Sequence, residues 1–152
     1  MLGEKMSDDE EIKTLVGEHF EPMRWGDGAD PDWDKFQEDF IEGAVLCGAA
    51  RPAQSRSVES FVERMEKVAR KNLHSFEEHT RDMKIMRFGN IAVVLAMSEL
   101  LENRSETSHD ISGYLLVKSE GRWSILGHAW DQASDGNPAP EFLRAGLTNR
   151  PA

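Results

Sequence analysis

Asp131, His128 and Glu78 are the side chains whose types best suit proton transfer in this sequence. Asp131 closes the apolar stretch 123–131. In an apolar cavity its carboxyl would titrate high and could serve as general acid or base. The ordinary alternative is a solvated strand end behind Trp130. His128 precedes Trp130 by two residues, so a strand turns both to one face. Trp123, Ile125, Gly127, Ala129 and Asp131 would then share the other face, and alternation does not say which face is enclosed. Glu78 and His79 are neighbours on a polar stretch, so at most one of them points inward. A strand exposed on one side is the plainer reading of that pair.

Residues that could hold rather than transform a small molecule are fewer. Ser98 shares a face with the small Ala92, Val94 and Ala96, and a hydroxyl there would orient a ligand. Tyr114, the only tyrosine, could donate to a carbonyl, though packing is its commoner use. Trp25 follows Arg24, where it would cover a cavity mouth or simply anchor two helices. No metal site is expected: His19, His74, His79, His109 and His128 lack spacings that place two ligands on one face. Cys47 reads as a small buried hydrophobe. The sequon at Asn103, Arg104 and Ser105 is taken as accidental, because the start 1–6 lacks the basic and apolar regions of a secretory leader.

Composition narrows the classes of function. The chain has 152 residues, 39% hydrophobic and 30% charged, which suits one folded domain with one core. Against 18 Lys and Arg stand 28 Asp and Glu, a net charge of −10. Such a surface repels nucleic-acid backbones and anionic membranes. A cytoplasmic protein with no nucleic-acid or membrane partner is the expectation.

The elements that must position these residues change period near residue 73. Ser7 and Glu10 form a capping box before a helix over 8–20 with Ile12, Leu15, Val16, His19 and Phe20 on one face. Asp30 and Pro31 are expected to start a second helix carrying Trp33, Phe36 and Phe40. Stretch 41–48 reads as a short strand. Ser57 caps a third helix to about 71, with Phe61 and Met65 in its apolar stripe. Strands are then expected over 75–88, 91–101, 111–118 and 123–131. Gly89 and Asn90 mark one turn, and Ser119, Glu120 and Gly121 another. The domain is placed at 7–143, with a disordered start over 1–6 and a tail over 144–152. Helices followed by hairpin-linked strands imply an α+β fold.

The ordered motifs of the second half resemble the nuclear transport factor 2-like superfamily. Phe88-Gly89-Asn90-Ile91-Ala92-Val93-Val94 is similar to its turn into a central strand. Residues 113–117 followed by Gly121-Arg122-Trp123-Ser124-Ile125 resemble its Gly-Arg-Trp-x-Ile hairpin. Trp130-Asp131 with Pro138, Pro140, Phe142 and Leu143 resembles the ending of small bacterial proteins near the SnoaL-like polyketide cyclases. The likeness spans 8–143 by layout and 88–143 by motif.

The resemblance implies a cone-shaped α+β fold: three N-terminal helices packed on a strongly curved, mainly antiparallel sheet around a largely apolar pocket. It implies a homodimer through the outer sheet face, where Ile91, Val93, Leu95 and Met97 give an apolar excess. Enzymes of this superfamily place an acid near the end of the last strand, the position of Asp131. The expected function is binding of a small apolar or aromatic molecule by a cofactor-independent isomerase, dehydratase or cyclase using acid–base chemistry. The alternative is a non-catalytic ligand-binding or dimeric interaction module. Catalytic candidates are Asp131, Glu78 and His128; ligand-binding candidates are Trp25, Trp33, Phe61, Met65, Ser98, Tyr114 and Trp130. No complete catalytic set of the superfamily's known enzymes is matched, and one fold hosts many functions.

Overall fold

The structure, a computed structural model, describes residues 5–50 and 52–144. The start 1–6 and the tail 144–152 expected from the sequence lie mostly outside the described residues. Helix α1 spans Asp8–Glu18, and the Ser7 hydroxyl oxygen accepts the Glu10 backbone N–H at 3.1 Å. Four acidic residues in its first turn face the positive end of the helix dipole. Its apolar face buries Ile12 and Val16 against Ala92, Val94, Ala96, Tyr114, Leu116, Trp123 and Ile125. Asp8 pins the start of α1 to the sheet by accepting from Lys118 Nζ and Trp123 Nε1, both at 2.9 Å.

Helix α2 is only Trp33–Gln37 and is capped by Asp32, which accepts the Lys35 N–H at 3.1 Å. The expected cap, Asp30, instead pairs with Arg70. Strands β1 (Phe40–Gly48) and β2 (Gln54–Ser57) follow, then α3 (Val58–Arg64), whose cap is Ser57. The expected single helix to about 71 is broken in character. Met65–Ala69 widens to a π-helical segment, and Arg70–Asn72 adds one closing turn. Strands β3 (Phe76–Phe88), β4 (Ile91–Glu102), β5 (Glu106–Ser119) and β6 (Arg122–Gln132) complete the chain's main elements.

The architecture is α+β, but it corrects the expected cone of three helices on a mainly antiparallel, strongly curved sheet. The six strands run in the order β2-β1-β6-β5-β4-β3. They form a mixed, open sheet that is not strongly curled. The β1 strand pairs in parallel with β6. Nothing local imposes the antiparallel sense there, because β1 and β6 come from opposite halves of the chain and share no hairpin turn. Among the described residues only α1 and α3 reach seven residues. The second helix starts late at Trp33 and ends early, because the Asp39 carbonyl already accepts the Ile125 N–H of β6 at 2.8 Å. Among the described residues no helix is long and apolar enough to cross a membrane.

Two irregularities decide which side chains face the helices. In β6 the register with β5 shifts between Ile125 and Gly127, leaving Leu126 as an extra residue. Strict alternation puts His128 and Trp130 opposite Trp123 and Ile125. The bulge reverses the phase, so Trp123, Ile125 and His128 are all buried and Leu126 is exposed. In β3 a shift at Arg81 changes phase opposite Met97 and Ser98. Ser98 is buried beside Glu78, whereas Met97 joins Ala139 and Leu143 in a separate small core.

Candidate acid–base cavity

Along the inner face of the sheet the rungs between strands form a ladder. Glu102 lies across from Phe76, Glu78 from Leu100, Ser98 from Asp110, Ser112 from Trp130 and Tyr114 from His128. Helix α3 and its π segment lie over this ladder through Phe61, Met65 and Ala69, and Phe20 and Met23 close it from the end of α1. The pocket so formed has a volume of about 240 Å³. Its walls are Phe20, Phe61, Phe76 and Trp130 with Met23, Met65, Ala69, Leu73 and Leu100; its polar groups are Glu78, Glu102, Asp110, Ser112 and His128. A wider groove between α1 and α2, about 580 Å³, is lined by Thr14, Leu15, Glu18, Glu21, Pro22, Lys35, Glu38 and Asp39 and lacks aromatic walls. The smaller pocket is therefore the candidate site, since aromatic walls with a few polar groups are what fix a small ligand.

Glu78 is 6% exposed, and its carboxyl accepts the Ser98 hydroxyl at 2.6 Å. Burial pushes its pKa up to about 8; the Ser98 bond opposes this, and the Asp110 charge adds to it. Asp110 is pushed up to about 6 by burial and by the charges of Asp131 and Glu102. His128, also 6% exposed, is held well below the ordinary imidazole value by burial, reinforced by His19. Near neutral pH the cavity thus presents a protonated carboxyl and a neutral imidazole.

The ring of His128 is fixed from several sides. Nε2 lies 2.9 Å from the Ser112 hydroxyl, and the ring stacks on Tyr114 with centroids 4.4 Å apart. Trp130 tilts against it at 4.9 Å and Phe20 at 5.9 Å. Its Nδ1 is buried without a hydrogen-bond partner, as is His19 Nε2. His19 is fully buried, and its Nδ1–H donates to Asp39 Oδ2 at 2.7 Å. Its ring lies 6.3 Å from that of His128. Buried polar atoms left unpaired in this way are costly and cluster at working sites.

The structure brings Glu78, His128, Phe61, Met65 and Trp130 together around one cavity. Ser98 stands behind Glu78 and Tyr114 lies under His128. Trp25 stacks on Phe76 at 4.9 Å and donates to the Leu73 carbonyl at 2.9 Å, so it backs the wall without lining the cavity. Trp33 is tied away from the space by donating Nε1–H to Glu66 at 2.6 Å. Asp131 is outside the cavity. It is exposed, accepts the Gln132 N–H at 3.0 Å, and borders a shallow outer hollow with Pro138 and Pro140. The bulge at Leu126 turned the His128 side of β6 inward, so the strand-end acid faces outward.

Asp110, Ser112, Glu102, His19 and Asp39 were not singled out by sequence reasoning. A signal existed for two of these: Asp110 and Ser112 share the alternation that buries Tyr114 and Leu116. His19 sits on the apolar face of α1, three residues after Val16. Nothing in the sequence links Asp39 to it across 20 positions. Among the described residues no three His, Cys, Asp or Glu side chains are grouped to hold a metal ion.

Solved structures resemble the fold of this chain. An NTF2-like protein with a cystatin-like fold from Novosphingobium aromaticivorans matches with a TM-score of 0.68 at 14% identity, over 92% of this chain and 88% of that one. A protein put forward as a scytalone dehydratase from the same organism matches with a TM-score of 0.66 at 10% identity, over 84% and 85%. A hexachlorocyclohexane dehydrochlorinase from Novosphingobium barchaimii matches with a TM-score of 0.63 at 9% identity, over 82% and 85%. No protein-family model matches the chain, and no curated protein matches it by sequence. At these identities the likeness shows the fold, NTF2-like, and the fold alone.

Proposed function

We propose that the protein binds one small, largely apolar or aromatic molecule in the 240 Å³ cavity and moves a proton on it, with His128 as base and Glu78 as acid. The observation that carries this is the pairing of two buried, oppositely suited groups in one enclosure: a carboxyl held protonated and an imidazole held neutral. With Nε2–H donating to Ser112, Nδ1 keeps its lone pair; the ligand reaches it by displacing the side chains that cover it, and it then takes a proton from a ligand carbon next to a carbonyl. The electron pair moves to the carbonyl oxygen, where the Glu78 O–H donates. Ser98 holds the other oxygen of the Glu78 carboxyl, and Trp130 and Phe61 hold the ligand body. The scheme is of the isomerase, dehydratase or cyclase type and calls on no cofactor. The dehydratase and dehydrochlorinase names among the fold neighbours support that class, and the hairpin and C-terminal motifs favour the SnoaL-like branch.

The working unit we propose is one domain, 7–143, paired as a homodimer through the outer sheet face. That face leaves Met86, Phe88, Ile91, Val93 and Leu115 exposed, Phe88 at 84%. Met86, Val93 and Leu115 are direct cross-strand neighbours.

The test is deuterium exchange. Small cyclic ketones and aryl ketones are incubated with the protein in heavy water, and label at the carbon beside the carbonyl is read by proton NMR. Enzyme-dependent labelling that is lost in His128→Gln, with binding retained, supports the reading. Binding with no labelling in any compound overturns catalysis and leaves the non-catalytic binding module.

A further inference from the structure

We infer that the molecule taken by this cavity carries a positive charge: an apolar or aromatic body bearing a protonated amine. The inference rests on the pocket reading above and names its ligand class. Three carboxyl side chains, Glu78, Glu102 and Asp110, line the cavity, and among the described lining residues there is no Lys or Arg. Arg56 and Arg64 belong to a neighbouring groove that shares only Phe61, Met65 and Trp130 with it.

The placement of the acids has a consequence for the ligand's orientation. Glu102 and Phe76 form the outermost rung of the ladder and His128 with Tyr114 the innermost. Asp110 and Glu102 repel one another, and Asp131 adds a third negative charge from outside the cavity. No cationic side chain of the lining relieves that repulsion. An ammonium placed between Asp110 and Glu102 would relieve it, and the Phe76 ring provides a face for it. The apolar body then runs inward past Phe61 and Trp130, whose rings pack edge to face on one wall, towards His128, whose unpartnered Nδ1 is the second, independent sign that a ligand completes the site. Glu78 lies one rung deeper than Glu102, is bonded to Ser98, and keeps its acid role. The chain's net charge of −10 draws cations towards the molecule generally.

The probes are 2-phenylethylamine and 2-phenylethanol, which differ only in the charged group, titrated into the intact protein by calorimetry near neutral pH. The amine is expected to bind about tenfold tighter or more, the scale of one desolvated cation–π contact with a carboxylate beside it. Asp110→Asn should remove that preference, the amine losing about tenfold more affinity than the alcohol does. Glu102→Gln serves as a second variant, with thermal melts checking that each folds. Equal binding of amine and alcohol by the parent protein overturns the charge inference and leaves the pocket reading standing. A preference that survives both substitutions but vanishes at high salt also overturns it, as diffuse surface attraction. If neither compound binds while both variants and the parent fold, the inference and the pocket reading fall together.

Discussion

The Ser98 hydroxyl donates to the Glu78 carboxyl at 2.6 Å, and both side chains are buried. They sit diagonally across β3 and β4, since Ser98 faces Thr80 and Glu78 faces Leu100. The bond would favour an ionised carboxylate, yet burial outweighs it and keeps the carboxyl protonated. Removing the hydroxyl should therefore raise the Glu78 pKa still further. In Ser98→Ala the midpoint is expected above about 8, with the fold retained; an unchanged or lower midpoint would contradict the balance of causes.

Stability should fall as pH rises above neutral. The folded pKa of Glu78, about 8, lies above its ordinary 4.5, so the native state holds a proton that the unfolded chain has lost. Its contribution is complete below about pH 4.5 and is lost as pH climbs through about 8. Asp110 works in the same direction between 3.8 and about 6. Urea unfolding of the parent should show that decline, and Glu78→Gln should flatten its upper part. Below about pH 6.5 the lowered pKa of His128 adds an opposite, rising slope, so a parent curve that rises between about pH 7 and 8.5 is what would contradict the burial of Glu78.

Trp130→Ala should weaken binding of any cavity ligand by about tenfold or more, as loss of a central aromatic anchor does. Trp130 meets Phe61 edge-on at 5.8 Å and tilts against His128, so its loss also frees the imidazole. Calorimetry with the two probes reads the effect directly. An affinity within about twofold of the parent would place the ligand elsewhere.

Glu66 holds two partners at once. It accepts from Trp33 Nε1 at 2.6 Å and from Arg70 at 3.1 Å, which ties the π segment to α2. Glu66→Ala should cost about 1–2 kcal/mol in chemical unfolding, the scale of a charge-assisted bond left unpaired. No measurable loss would show the contact to be solvated in solution.

The outer face should carry the dimer contact. Light scattering behind a sizing column is expected to give twice the chain mass of 17.2 kDa, and Val93→Glu to give the single mass. A parent protein at the single mass at micromolar concentration would contradict the pairing.

Much of the framework was readable from residue types. Ser7 and Ser57 cap helices as their spacing implies, and turns fall at Gly89 and Glu120 as expected, whereas β5 begins at Glu106 and not at the expected 111. The cavity was only half readable. Glu78 and His128 stood out by type, but their facing depended on bulges at Arg81 and Leu126. One inserted residue reverses every side chain beyond it. Gly127, a glycine inside a strand, was the local sign of the second bulge. Alternation left the facing of Asp131 open, and the bulge at Leu126 puts it on the face opposite the buried Trp123 and Ile125. The parallel pairing of β1 with β6 and the contact of His19 with Asp39 join segments far apart in sequence, and no short-range pattern encodes either. The π segment at Met65–Ala69 shares the apolar stripe of an ordinary helix and has no separate periodic signature.

The central claim is that one cavity holds a protonated carboxyl and a neutral imidazole together. A carbon-13 NMR titration of the side-chain carboxyls, with the histidine ring signals followed in the same sample, tests it most directly. The account predicts a Glu78 midpoint of about 8 and a His128 ring that stays neutral well below its ordinary value of 6.5. A Glu78 midpoint near 4.5, or a His128 ring that is protonated at neutral pH, would contradict it.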